Sequence, residues 1–301
     1  MISEKYMAGF IDADGHISIR ARLNASPDLE VSVGQSRKGE HVLLAIQEMF
    51  GGSIREKWEG KHLELQLRGK TARKLLERLS KYMVLKRHHA ERMIEVVDNK
   101  TILRTVDEVR AVRQEVKQIR AFGASGMPNY PSRKWLAGYF DGDGSFSVSV
   151  DRYGRARPNA AILAAKNYVV GISLICSTLG GRINAVGENA VWQLGLDIPS
   201  KAIQFLSFFA QHLEIKKAQA YFLLGCAQNG NFRDGKAIST TIKTLNAQQH
   251  RLSDPTSVAA DYVKQVDFSI PPAKLGRPKG VKDTRPRKKR QSETYEAQPA
   301  L

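Results

Sequence analysis

The sequence predicts an α+β protein built from two pseudo-symmetric αββαββα domains. Three observations carry that prediction. A nine-residue stretch, Met7-Ala8-Gly9-Phe10-Ile11-Asp12-Ala13-Asp14-Gly15, recurs as Leu136-Ala137-Gly138-Tyr139-Phe140-Asp141-Gly142-Asp143-Gly144. The copies stand 129 residues apart, and the same offset relates Gly51-Gly52 to Gly180-Gly181 and the alternating run 63–67 to 192–196. Each copy is a short apolar helix pattern followed by period-two alternation, residues 16–20 and 145–150, as expected of strands with one face buried.

In chain order, residues 29–33 alternate again, with Leu29, Val31 and Val33 on one face. Residues 38–50 carry helical spacing (Val42, Leu43, Ile46, Met49, Phe50) that stops at Gly51-Gly52, a C-cap signal. Strands follow at 53–58 and 62–68, then a helix at 71–83 with Leu75, Leu76 and Leu79 on one side. Residues 101–121 read as a separate amphipathic helix, since Val106, Val109, Val112, Val116 and Ile119 recur at intervals of three and four. The Gly/Pro/Ser-rich stretch 123–131 marks a linker, which divides the chain into a first domain at 1–121, a linker at 122–133 and a second domain at 134–270. The second half repeats the plan: strands at 145–151 and 159–164, a helix at 169–179, strands at 181–186 and 191–197, and helices at 200–212, 217–228 and 238–252. Four strands with one apolar face, covered by helices, make each half an α+β domain.

The net charge of +17 and pI near 9.9 favour a polyanionic partner, nucleic acid first and an anionic membrane surface second. Residues 271–301 hold nine Lys/Arg and three Asp/Glu with few aliphatic residues; they read as a disordered basic tail, and the first 270 residues keep +11. Gly276-Arg277-Pro278-Lys279-Gly280 resembles an AT-hook core, although an unspecific polycationic tail is the favoured reading. Cys176 and Cys226 sit among apolar neighbours, as free thiols of a reducing compartment do. No apolar run reaches the ~18 residues of a membrane span, and the opening Met-Ile-Ser-Glu-Lys has no signal-peptide core. A soluble intracellular protein that does not engage membranes is expected.

The repeated stretch carries the chemistry. Gly9 and Ala13, like Gly138 and Gly142, are four apart and leave a stripe without side-chain bulk along each helix. Two such stripes can pack with backbones nearly touching, which would bring Asp14 and Asp143 together at the helix C-termini. Carboxylates there oppose the helix dipole and each other. Bound cations would recover both costs, and carboxylates with a backbone carbonyl suit Mg²⁺ and a phosphate co-ligand, hence metal-assisted phosphoryl hydrolysis. A lone Asp-Gly between helix and strand would read as a turn; two in one register reverse that preference.

The paired motifs resemble those of the LAGLIDADG homing endonucleases in the single-chain, two-repeat form, over roughly residues 5–225. The resemblance implies a monomeric DNA-binding saddle with the motif helices at the domain interface. It also implies double-strand cleavage at the centre, with short 3′ overhangs. It implies two or more Mg²⁺ ions shared by Asp14 and Asp143, helped by the Ala13 and Gly142 carbonyls, with Asp12 and Asp141 buttressing the helix ends. It further implies a polar residue late in the second strand and a late-loop lysine in each half, both around metal-bound water. Gln35, Lys86 and Lys216 occupy those places, whereas the counterpart of Gln35 is Ala164, with Lys166 or Asn167 as substitutes.

Alternation then separates a DNA-reading face from the core face. In the first half Ile17, Ile19, Val31, Val33, Leu63, Leu65 and Leu67 point inward, leaving Ser18, Arg20, Arg22, Glu30, Ser32, Gln35, Glu64, Gln66 and Arg68 outward, with Arg37, Arg55 and Lys57 beside them. In the second, Phe146, Val148, Val150, Ile162 and Leu194 point inward. Ser147, Ser149, Asp151, Arg155, Arg157, Asn159, Lys166, Asn167, Arg182, Asn184 and Gln193 are read as DNA contacts. Because the faces differ, the expected partner is an asymmetric double-stranded DNA site of about twenty base pairs. The alternative is a non-cleaving nucleic-acid binder on the same fold, an intron RNA maturase or a DNA-binding regulator; both motif aspartates being intact favours the nuclease.

Overall fold

In the computed structural model, residues 2–121, 131–165, 169–186, 189–230, 232–248 and 254–269 are described. The linker stretch 122–130, Lys166, Asn167 and the basic tail with its AT-hook-like run lie outside them. The first half runs α1 (Glu4–Asp14), β1 (Gly15–Arg20), β2 (Asp28–Ser36), α2 (Glu40–Phe50), β3 (Ser53–Lys57), β4 (His62–Arg68), α3 (Lys70–Leu79), α4 (Arg87–Asp98) and α5 (Val106–Ala121). The second runs α6 (Arg133–Asp143), β5 (Gly144–Val150), β6 (Ala156–Ala165), α7 (Val169–Leu179), β7 (Arg182–Val186), β8 (Asn189–Gly195), α8 (Pro199–Phe209), α9 (Lys217–Gln228), α10 (Gly235–Gln248) and α11 (Pro255–Lys264). Two antiparallel sheets result, ordered β1-β2-β4-β3 and β5-β6-β8-β7. The expected αββαββα order is therefore present twice, through α3 and through α8.

The 129-residue register reaches further than the sequence pattern showed, but it fails for the run 63–67: Leu65 pairs with Val33 where Trp192, not Leu194, pairs with Ile162, so β4 answers β8 two residues short of the expected offset. It maps α2 onto α7 and β3 onto β7 residue for residue, and it sets the start of α5 on the start of α10. So α5 is no separate helix: it packs on β1 and α4 as α10 packs on β5 and α9. Two helices escaped the sequence reading, α4 and α11. The start of α4 has no local side-chain cap; the turn before it is held by Asp12, more than seventy residues upstream. α11 does carry a local start signal, Asp254 accepting from the Thr256 and Ser257 N–H groups with Pro255 next to it, and packs on α9.

The predicted core faces hold almost throughout: Ile17, Ile19, Val31, Val33, Leu63, Leu65, Leu67, Phe146 and Ile162 are all buried. Val148 and Leu194 are half-buried, and Val150, the last residue of β5, is 46% exposed. Gly51 and Gly180 end α2 and α7 with φ of 85° and 73°, the left-handed backbone that a C-cap requires. Among the described residues no helix is long and apolar enough to cross a membrane.

Candidate functional site

The centre of the molecule is the packing of α1 on α6. Each starts on a serine: Ser3 accepts the Tyr6 N–H at 3.4 Å and Ser132 accepts the Trp135 N–H at 3.2 Å. The helices approach because the small stripes face each other. A Cβ on Gly9 would stand 2.0 Å from the Trp135 carbonyl oxygen, and one on Gly138 would stand 2.0 Å from that of Tyr6. A Cβ on Gly142 would meet Ala13 Cβ at 2.3 Å and Asp14 Oδ2 at 3.0 Å, so the Asp14 carboxylate lies against the opposite helix.

Asp12 and Asp141, the sixth motif residues, are buried and bridge the halves reciprocally. Asp12 accepts from the N–H groups of Val84 (2.7 Å), Leu85 (3.2 Å) and Lys86 (2.8 Å) and from the Trp135 indole N–H (2.8 Å) of the other half. Asp141 accepts from the N–H groups of Glu214 (2.6 Å), Ile215 (3.0 Å) and Lys216 (2.8 Å) and from the Tyr6 hydroxyl (2.7 Å). Tyr6 and Trp135 are themselves 129 residues apart, a donor pair that the offset could have revealed. Four donors offset the burial that pushes the Asp12 carboxyl up, and they lock each late loop onto a motif helix.

Asp14 and Asp143 carry the unresolved charge. Burial, and then the negative charge of Asp143, push the Asp14 carboxyl up to about 7, against the pull of Lys216, Lys86 and the Gln35 amide. Burial also raises Asp143, opposed by Lys86, a Tyr139 hydrogen bond and Lys216. Gln35 stands as expected: its Nε2 donates to Asp14 Oδ2 at 2.7 Å, while its Oε1 accepts the Ser36 N–H at 2.9 Å. Gly39 makes room for it, since a Cβ there would strike Gln35 Cγ at 2.1 Å and Ile215 of the other half at 3.0 Å.

The lysines reach the centre by a different route from the one the sequence suggested. Lys86 Nζ donates to the carbonyls of Ile11 (3.0 Å), Ala13 (3.1 Å) and Gly15 (2.6 Å), and Lys216 Nζ donates to the Asp141 carbonyl. Each ammonium thus caps the negative end of a motif helix, and burial lowers both from the usual lysine range. Lys38, which the sequence reading passed over, donates to the Asn246 carbonyl on α10 and adds positive charge near Lys216. A cavity of ≈ 250 Å³ between the halves is lined by Ala13, Lys86, Tyr139, Asp143, Ala164 and Asn189, among others.

The two outward sheet faces differ. In the first, Glu30 accepts from Arg68 (3.1 Å) and from Gln66, Lys57 pairs with Glu64 at 2.7 Å, and Arg37 donates to the Gly60 carbonyl (2.8 Å) and to Glu56. Ser18 faces Glu30 across the β1–β2 pair, Ser32 faces Gln66 across β2–β4, Arg55 faces Glu64 across β3–β4, and Arg20 ends β1. Arg22 lies past β1 and is exposed. In the second, Ser147, Ser149, Arg157, Asn159, Arg182 and Gln193 line a groove of ≈ 440 Å³, with Asn184 donating to Gln193 at 3.2 Å. Asp151 and Arg155 are engaged with each other at the turn after β5. Asp151 accepts from the Tyr153 and Arg155 N–H groups and from both Arg155 and Arg157, closing the β5–β6 turn. Those donors hold its carboxyl down to about 2 although its partial burial pulls the other way.

The sequence model of the family described as LAGLIDADG endonuclease matches residues 7–92. The intron-encoded RNA maturase bI4 of Saccharomyces cerevisiae is 24% identical over 181 residues, which cover 60% of this chain and 24% of that protein; the chain thus spans about a quarter of that relative's length. Among solved structures, I-AabMI bound to uncleaved DNA matches with a TM-score of 0.62 at 16% identity, covering 81% of this chain and 98% of its own. I-GzeII in complex with its DNA target gives 0.58 at 16%, over 89% and 99%, and I-SmaMI bound to cleaved DNA gives 0.57 at 18%, over 84% and 99%. The likeness establishes the two-domain saddle fold. With the doubled motif, its central helix pair and this fold together, the chain is similar to LAGLIDADG proteins of the single-chain, two-motif form.

Proposed function

We propose that the protein is a monomeric, site-specific double-strand DNA endonuclease, in the manner of the homing endonucleases, that uses Mg²⁺. Its substrate is an asymmetric target of about twenty base pairs, cut to leave short 3′ overhangs. One observation carries the reading: two carboxylates, one from each half, stand half-buried at the converging ends of α1 and α6 with raised affinities for protons. Charge held at such a cost in a protein of this basicity is suited to a divalent cation and a polyanion.

The residues present fit a divalent ion of this kind. Among the described residues no cluster of three or more His, Cys, Asp or Glu occurs, so an all-protein cage is lacking. Two carboxylates with the Gly142 carbonyl make a sparse, hard-oxygen set that leaves positions for water and phosphate. The Ala13 carbonyl belongs to the same set, although here it accepts from Lys86. Asp14 and Asp143 would hold the ions, which would supply an activated water and stabilisation of the leaving oxygen. Gln35 fixes one oxygen of Asp14 and so leaves the other for an ion. Lys86, Lys216 and Lys38 keep the centre positive enough to admit a phosphate. Domain halves at 1–121 and 134–270 each contribute one carboxylate and one reading face.

Incubating the protein with a plasmid library of candidate sites, with Mg²⁺ and with EDTA, tests the proposal. Cleavage should need Mg²⁺, and Asp14→Asn or Asp143→Asn should abolish double-strand cutting while DNA binding survives; full cutting by either variant would refute the metal centre. A second reading, an RNA maturase, draws on the likeness to bI4. It predicts tight binding to an intron RNA that neither substitution weakens.

A further inference from the structure

The two halves hold their central carboxylates with different side chains. In the first half the donor comes from the sheet: Gln35, on β2, reaches Asp14 at 2.7 Å, and the motif position four residues before Asp14 is Phe10, buried and without a polar atom. In the second half the residue in register with Gln35 is Ala164, a buried methyl paired across the sheet with Ala190, so that position has no amide to offer. The residue in register with Phe10 is Tyr139, and its hydroxyl donates to the Asp143 carboxylate. The pairs Gln35/Phe10 and Ala164/Tyr139 are thus complementary: where one half loses the amide, it gains a phenol.

The placement of Tyr139 suits a positioning role. Residues 139 and 143 are four apart on α6 and so lie on one helix face. The Tyr139 ring stacks on Trp135 with centroids 5.0 Å apart and planes 8° apart, and the Trp135 indole is pinned by Asp12. Tyr139, Asp143 and Ala164 line the same ≈ 250 Å³ cavity. We propose that Tyr139 does for Asp143 what Gln35 does for Asp14: its clamped hydroxyl fixes one carboxylate oxygen and presents the other to the metal. The consequence for cutting rests on the endonuclease reading above; the consequence for metal binding does not.

The test uses the full chain with Tyr139→Phe, Ala164→Gln and the two combined. On a supercoiled plasmid bearing the site recovered from the library, Tyr139→Phe should slow one strand about 10- to 100-fold, the usual effect of losing a partner behind a metal ligand. Nicked circles would then accumulate. Gln35→Ala should slow the opposite strand, and adding Ala164→Gln to Tyr139→Phe should restore cutting of the first. Calorimetric titration of the same variants with Mn²⁺, without DNA, should show binding weakened about 10-fold by Tyr139→Phe and recovered by Ala164→Gln. Unchanged Mn²⁺ affinity, equal slowing of both strands, or failure of Ala164→Gln to rescue a folded Tyr139→Phe protein would each overturn the proposal. A parent protein that cuts no site defeats the endonuclease reading instead, and the Mn²⁺ titration still decides the role of Tyr139.

Discussion

The first and second halves of this chain are near-copies at the backbone and unlike at the surfaces that matter. Both present one motif helix, one buried aspartate bridging to the other half, and one lysine capping a helix end. The first reads outward with a charged, cross-paired face, Glu30 with Arg68 and Lys57 with Glu64. The second offers Ser147, Asn159 and Gln193 around a groove, and its exposed Leu163 lies where a polar residue was free to sit. The difference teaches that the pseudo-two-fold holds where helices and strands pack on one another and lapses on the outward sheet faces.

The comparison can be broken most severely at the helix contact. Gly9→Ala and Gly138→Ala each place a methyl about 2 Å from a carbonyl oxygen of the opposite helix. Each should destabilise by about 3 kcal/mol or more, even after the helix propensity gained by alanine. Urea denaturation should find similar costs for both; a large inequality would show that the two stripes are not equivalent.

A smaller effect sharpens the electrostatic side. With its carboxyl raised to about 7, Asp14 keeps in the folded state a proton that the unfolded chain releases near pH 4. Metal-free stability therefore falls as pH rises between those values, and the loss is complete above 7. In EDTA, Asp14→Asn should be more stable than the parent at pH 8, by on the order of 2 kcal/mol, and equal to it below pH 4. Asp143→Asn should shift in the same direction. Thermal melts at the two pH values check both.

The smallest effect concerns the reciprocal bridges. Tyr6→Phe removes one of four donors to Asp141 and should cost about 1.5 kcal/mol. Amide hydrogen exchange should then quicken at residues 214–216 and not at 84–86, if the two bridges act independently.

Much of this was legible in the residues because the repeat is long and its register holds from the motif helix through β3. The motif helices, eight strands and small-residue stripes follow from period and offset alone. α4 was hidden because the turn that introduces it is satisfied by Asp12, a donor–acceptor match across 72–74 residues that no local pattern announces. α11 was visible in Asp254-Pro255 and was passed over beside the basic tail. The absence of a glutamine at Ala164 could be seen, while its replacement could not: a tyrosine in place of Phe10's counterpart reads as one more core aromatic until its hydroxyl is placed. Lys86 and Lys216 were found by position, but their contacts, helix-end carbonyls rather than open cavity, depend on how deeply the late loops sink.

The bridges between Tyr6 and Asp141 and between Trp135 and Asp12 also bear on how such a chain can be rebuilt. In each half three backbone donors close the late loop on its own aspartate, and the fourth donor is an aromatic lent by the other half. A chimaera that joins one half of this protein to half of a relative leaves its motif aspartate one donor short unless the other half supplies an aromatic donor at its helix start. Exchanging halves is therefore first a matter of four residues, Tyr6, Asp12, Trp135 and Asp141.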